Sequence, residues 1–262
     1  SGVFQKALRD SAIISMFDGS SVVNLHVLIL QRRQLAKARS RIQKKPDKLA
    51  AVQARLAQSF SLSADVPTFE PNRLELISRG ADDVTQGLEG TIAKLETLRE
   101  SGDSTLDQSV LSQLIDLAQI ILEEIDAQDA LVTESAFEHG HEQSFESFEL
   151  AKQYCRLHAA IACILMWMYN RDNAELGEFF AKGEWVVLSV HRLLSHFRMD
   201  LNAPAGAYYE NVAQELLRLH AEDKMFSIVP FQLAQLSTQA ANTQFTYQED
   251  TTHATAPEPQ FI

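Results

Sequence analysis

The residues most able to do chemistry lie near the start of the chain, where the carboxylate of Asp18 is followed by Gly19, Ser20 and Ser21. They come directly after an apolar run and directly before a long apolar helical pattern. A carboxylate placed there has two interpretations. It is the base of an active site if it is desolvated and aimed at a proton, or it is the N-cap of the next helix, a position that Asp favours.

Histidines and acids form a second set of candidates. Residues 138–142, EHGHE, hold four potential metal ligands in five positions, but a metal needs ligands that converge with fixed geometry. A glycine-centred stretch between helices is more often simply exposed, so we predict no metal site. The remaining candidates on amphipathic helices are interpreted as core or half-exposed histidines: His158, His191 and His196.

The charge of the chain is unevenly distributed. The formal net charge is −12 and the sequence pI about 5.1, which argues against nucleic acid as a partner. Residues 31–48 nevertheless hold eight Lys or Arg and one acid, a local charge of +7 that leaves −19 on the rest. Such a basic helix end is able to meet phosphates or an anionic membrane surface, and its alternative interpretation is a solvated helix face.

Cysteine usage favours a reducing compartment. Cys155 and Cys163 lie eight positions apart on one predicted helix, where their side chains cannot form a disulfide with each other. We interpret them as reduced core residues and predict a cytoplasmic protein. The longest apolar run, residues 159–169, is too short to span a bilayer and is typical of a buried core helix.

The pattern of apolar residues predicts an all-α protein. The 262 residues are 45% hydrophobic and include only 10 Gly and 7 Pro, so long stretches have no helix breaker, and long helices with short connections indicate an antiparallel helical bundle. Residues 22–30 are apolar on nearly all sides, so we expect the first turns of the first helix to be deeply buried. Trp167 and Trp185 are expected in the core. Helices are predicted over residues 22–43, 48–60, 72–100, 106–136, 146–170, 174–197 and 206–223.

One stretch resembles a known family. Arg9-Asp10, seven further residues and then Asp18-Gly19-Ser20-Ser21 are similar to the end of the acyl-CoA dehydrogenase flavoprotein core, which reads RDxxxxxIYEGT before the last helix of the catalytic unit. Met16-Phe17-Asp18-Gly19-Ser20 stands where Ile-Tyr-Glu-Gly-Thr is usual, and the spacing of nine from Arg9 to Asp18 is the same. The resemblance covers roughly the first 40 residues.

The resemblance implies an activity. In that family the loop carboxylate removes the α-proton of an acyl-CoA thioester while a hydride leaves to FAD, and an electron acceptor later reoxidises the flavin. Asp18 would be the catalytic base, with Gly19 and Ser20 as cofactor-binding residues; glycine lets the backbone approach a ligand closely. Two departures stand out. Asp18 is one methylene shorter than the usual Glu, which matters because a misplacement of about 1 Å can cost about 100-fold in rate. Val22 replaces a residue that is often polar.

The same resemblance implies a domain organisation. Residues 1–45 would end the catalytic helical domain, 46–71 would be a linker with a short helix, 72–230 a C-terminal helical bundle and 231–262 a disordered tail. The chain would then be a C-terminal fragment, inactive and without FAD on its own. Family members of the very-long-chain type carry such an extension, which implies a homo-oligomer and possible peripheral membrane contact. The alternative is a non-catalytic helical interaction or oligomerisation domain.

Overall fold

The computed structural model describes residues 21–65, 68, 70–73, 82–102, 106–134 and 144–222. Every regular element within these ranges is a helix, which confirms the all-α helical bundle. Short 3-10 turns cover Pro71–Arg73 and Ala174–Leu176. The α-helices are α1 (Ser21–Gln43), α2 (Pro46–Phe60), α3 (Asp83–Gln86), α4 (Leu88–Glu100), α5 (Gln108–Glu134), α6 (Phe145–Asn170), α7 (Gly177–Lys182), α8 (Glu184–Leu194) and α9 (Gly206–Ala221).

Local chemistry explains where several helices begin. Pro46 is the first residue of α2, where its fixed φ suits a helix and its missing N–H is not needed. The side chain of Asp107 accepts a hydrogen bond from the backbone N–H of Ser109 at the start of α5. Ser144 accepts one from the backbone N–H of Ser147 at the start of α6. Each cap satisfies a donor that the first helical turn leaves without a partner.

The hydrophobic core lies between α5, α6 and α8, with α2 and α4 closing it. Apolar residues recur on α5 at three- and four-residue spacing, which gives one continuous buried stripe. The apolar run in α6 is buried, and Trp167 is completely enclosed there, as the sequence predicts. The largest fully buried side chains around it are Phe180, Leu56, Leu88, Leu95, Leu111, Leu114, Ile121, Ile125, Leu157, Ile161 and Ile164.

Helix α2 belongs to this core. Val52 and Leu56, one turn apart, are both buried in the same cluster as the central helices. The end of α2 is fixed by Asn170, whose side-chain amide donates to the carbonyl of Phe60 and accepts from the backbone N–H of Leu62, each over 2.7 Å. The division into domains remains a prediction, and the tail at 231–262 lies outside the described residues.

The helix expected over 174–197 is interrupted, and this expectation is wrong. Gly183, with φ of 75°, separates α7 from α8. The indole N–H of Trp167 donates to the carbonyl of Ala181 (3.0 Å), and that of Trp185 donates to the carbonyl of Phe180 (3.2 Å). The two tryptophans therefore satisfy carbonyls that a continuous helix would have paired internally.

Two further expectations, on the cysteines and on membrane-spanning helices, can be compared with the structure. Cys155 is exposed, so its interpretation as a core residue is wrong, whereas Cys163 is partly buried against the core. Among the helices described, none combines the length and the apolar character needed to cross a membrane.

We predict that Gly183→Ala lowers the free energy of unfolding by about 2–5 kcal/mol. A Cβ at this position would lie 2.9 Å from the indole ring of Trp167, an overpacking cost of about 1–3 kcal/mol, and alanine adds left-handed strain of about 1–2 kcal/mol. Urea unfolding followed by circular dichroism measures the loss.

The matched control is Gly102→Ala. Gly102 has φ of 63° and nothing within 4 Å of its ideal Cβ, so this variant should show only the strain of about 1–2 kcal/mol. Equal losses in both variants would contradict the tight contact with Trp167.

Candidate functional site

The site predicted from the sequence lies outside the described residues. Asp18, Gly19 and Ser20 all precede Ser21, where α1 and the description of the chain begin. Their roles as base and cofactor contacts therefore stay predictions. Residues 138–142 also lie outside, and within the described ranges no group of three or more His, Cys, Asp or Glu side chains is arranged to hold a metal ion.

Helix α1, which follows the predicted loop, packs in an unexpected way. Its buried residues are Arg32, Ala36 and Arg39, which share one face at helical spacing. The expectation of deeply buried first turns is wrong. Val22 and Val23 are 62% and 55% exposed. The helix therefore buries two arginines against the bundle and leaves several apolar side chains of its first turns exposed.

The two buried arginines meet acids from α4 and α5. Arg39 donates through Nη1 to Asp126 Oδ1 (2.6 Å) and Asp129 Oδ2 (3.1 Å), and through Nη2 to Glu89 Oε1 (2.7 Å). Arg32 donates through Nη1 to Asp129 Oδ1 (3.0 Å). We call these five residues the arginine cluster. Asp129 bridges both guanidinium groups and so joins the two halves of the cluster.

Electrostatics keep Arg39 charged. Burial by itself would lower the pKa of Arg39, but the hydrogen bond to Asp126 and the nearby carboxylates outweigh it, so the pKa lies above its ordinary value. Removing one partner of a buried ion pair leaves an uncompensated charge and costs about 3–5 kcal/mol. The solvated-face interpretation of the basic segment is therefore wrong for these two arginines, but Arg33, Lys37 and Arg41 are exposed.

Arg32 connects the cluster to a second polar group. Its guanidinium lies over the ring of Tyr154 on α6, 3.9 Å from the centroid, a cation–π contact in a partly desolvated place. The hydroxyl of Tyr154 donates to Asp82 Oδ2 over 2.7 Å. A chain of contacts therefore runs from α5 through α1 and α6 to the start of α3.

Asp82 is both a helix cap and a buried acid. Its Oδ1 accepts from the backbone N–H groups of Val84 (3.1 Å) and Thr85 (3.3 Å), which caps α3, and His158 Nε2 lies 3.3 Å from the same oxygen. Burial would raise the pKa of Asp82, but hydrogen bonds from His158 and Tyr154 outweigh it and lower the pKa to about 2. Burial and the charge of Asp82 in turn raise the pKa of Tyr154. The phenol thus stays a donor and the carboxylate an acceptor.

A cleft of about 410 Å³ opens beside this group. Cys155 and His158 both line it, three residues apart on α6, so a thiol, an imidazole and the Asp82 carboxylate come close together. Although Cys155 is exposed as a residue, neighbouring atoms partly desolvate its thiol and raise its pKa, which is the opposite of what a nucleophilic thiolate needs. Both oxygens of Asp82 are already hydrogen-bonded. The arrangement therefore links helices and lacks the features of a nucleophilic triad.

Most of these residues have no signature in the sequence. Asp82 was not predicted as a site residue, although an Asp before a helical segment is a recognised cap signal. Tyr154 gives no local signal at all, since its partner is 72 positions away. His158, expected to be an ordinary core or half-exposed histidine, is partly exposed and lies against Asp82.

We predict that Asp82→Asn removes a pH-dependent part of the stability. Because the folded pKa of about 2 lies below the ordinary 3.8, the ionised carboxylate stabilises the fold by about 2 kcal/mol at neutral pH. This contribution is complete well above pH 3.8 and is lost as the pH falls through about 2. The Asp82→Asn variant should therefore be less stable than the parent at pH about 7. The difference in stability should shrink on acidification.

Urea unfolding at a series of pH values tests this, with Asp116→Asn on the exposed side of α5 as the control. The control should stay within about 0.5 kcal/mol of the parent. A loss in Asp82→Asn that is constant across the pH series would contradict the stabilising role of the ionised carboxylate.

No protein-family model, curated protein or solved structure matches this chain. Any function therefore has to follow from its residues: the loop that resembles the acyl-CoA dehydrogenases, and the cluster that holds the helix after that loop.

Proposed function

We propose that this chain is the C-terminal part of an FAD-dependent acyl-CoA dehydrogenase. In this proposal the helical bundle holds the helix that follows the catalytic loop. The supporting observation is that α1, described from Ser21 onward, follows Asp18-Gly19-Ser20 in the chain and is anchored by the buried arginines Arg32 and Arg39. A loop joined directly to an anchored helix is restricted in where its carboxylate can point.

Asp18 would act as the base. Its carboxylate would take the α-proton of an acyl thioester as the β-hydrogen leaves with its electron pair. FAD, when bound, supplies the acceptor for that hydride. Gly19 would let the backbone approach the ligand closely, and the hydroxyl of Ser20 would donate to the cofactor. The acyl-CoA substrate and a separate electron acceptor are the partners that this proposal requires.

The described residues beside the loop fit a flavin in part. Val22 and Val23 are exposed, and exposed apolar side chains are suited to contact a flat ring system. Val22 offers no hydrogen bond where the family often has a polar residue. This partial fit supports the expectation that the 262-residue chain alone is folded but colourless, with FAD bound only in the parent enzyme.

A helical interaction domain is the second candidate. It is favoured by the exposed apolar residues on α1, which are typical of a surface that contacts another protein: Val22, Val23, Val27 and Leu30. In this alternative Asp18 is only a helix cap, and the partner is a second copy of the chain or another protein.

We predict that Asp18→Asn in the full-length parent keeps its flavin and loses dehydrogenation by at least about 100-fold, because the amide cannot accept a proton. Asp18→Glu should retain or raise activity, since it restores the usual reach. Steady-state turnover of acyl-CoA and the absorbance of bound flavin measure the two effects.

The cap interpretation makes a different prediction. Asn caps a helix about as well as Asp, so Asp18→Asn would then change neither turnover nor melting temperature. Normal turnover by Asp18→Asn would rule out the catalytic assignment, and the melting temperature separates loss of chemistry from loss of folding.

A further inference from the structure

We infer that α1 is a releasable strap: it docks through the arginine cluster onto a core that is complete without it, so salt can detach it while the bundle stays folded. The inference concerns α1 and its contacts and does not depend on which chemistry the loop before α1 performs.

The core of the described residues closes without α1. Its buried members come from the segments between Val52 and Tyr208, and none lies on α1. Ile42, at the end of α1, is the contribution of this helix to the partly buried shell. Leu25, Leu28, Ile29 and Leu35 are only half-buried. Detaching α1 from the bundle would therefore leave the central apolar packing in place.

The side chains of α1 that are fully buried are mostly polar. Arg32 and Arg39 are the buried large side chains of the helix, and Gln43 adds a hydrogen bond to Glu89. Within the described part of the chain, Arg39 Nε and Glu89 Oε2 are buried without a hydrogen-bond partner. A buried polar atom without a partner costs free energy, so the docked state is less favourable than its ion pairs alone indicate.

Solvent reaches the cluster from one side. The side chains of Asp126 and Glu89 are 58% and 37% exposed, whereas that of Arg39 is 4% exposed. Ions can therefore screen the carboxylates when the strap loosens. The Debye length falls from about 10 Å at 0.1 M salt to about 3 Å at 1 M, so high salt weakens this interface. The same salt leaves apolar packing in the core intact or strengthens it slightly.

The connection between α1 and α2 is suited to act as the hinge of the strap. Lys44 and Lys45 connect α1 to α2, and Lys45 has an extended backbone. Helix α2 itself is held by Val52 and Leu56 in the core and by Asn170 at its end. The strap is therefore able to swing about the lysine pair while α2 remains in place. Most of the stability of a helix in a protein comes from its tertiary packing, so a detached α1 loses protection of its amide hydrogens.

Hydrogen exchange on the full 262-residue chain tests the inference. Raising NaCl from about 0.1 M to about 1 M should speed amide exchange in residues 28–42 about tenfold or more. Exchange in the core segments 111–125 and 157–168 should not change. Equal protection of residues 28–42 at both salt concentrations would overturn the inference.

Arg39→Met supplies the second test, with Arg33→Met as the matched control on the exposed side of α1. Arg39→Met should speed exchange in residues 28–42 about tenfold or more already at low salt and remove most of the salt dependence. Arg33→Met should behave like the parent. If Arg39→Met also exposes the amides of 111–125 and 157–168, then α1 is part of the cooperative core and the strap does not exist.

Discussion

Two guanidinium groups buried between α1 and α5 set the conditions that their neighbours must meet. A buried arginine cannot lose its proton and has five donors to satisfy, so carboxylates must lie within hydrogen-bond distance of it. Asp126 and Asp129 supply them from α5, and Glu89 supplies another from α4. The position of α1 along α5 follows from this requirement, because a shift by one residue would turn both arginines away from their acids.

The same requirement applies to Arg32, which also has a partner on α6. The ring of Tyr154 covers the guanidinium of Arg32, and the Tyr154 hydroxyl is held by Asp82. Asp82 is fixed in turn by the first turn of α3, which it caps. Polar contacts therefore bring together α1, α3, α4, α5 and α6, while apolar contacts bring together α2, α4, α5, α6 and α8. The bundle has two kinds of interface, and the two large side chains that α1 buries, Arg32 and Arg39, belong to the polar kind.

This division bears on the function that we propose. A helix held by ion pairs has a defined register, because charged hydrogen bonds are directional in a way that apolar contacts are not. It is also sensitive to its surroundings, because ion pairs at a partly exposed interface respond to salt. In the proposed function α1 joins the loop containing Asp18 to the bundle, so the geometry of that loop and the state of the cluster are expected to be coupled. The exposed apolar residues at the start of α1, such as Val22 and Val23, leave that end able to contact another surface.

The sequence by itself determined the helical class and most helix positions. Periodic apolar residues, Pro46 and the cap at Ser144 act within a few positions of each other, so the predicted helices over 22–43 and 146–170 agree with α1 and α6 within one residue. Only the tertiary structure decided which face of α1 is buried. The partners of Arg39 are 50 to 90 positions away, and no local pattern distinguishes that arginine from the exposed Arg41. The break at Gly183 likewise depends on Trp167, which lies on another helix. Periodicity and capping are short-range effects, whereas the burial of a charge depends on where distant helices bring its counter-charge.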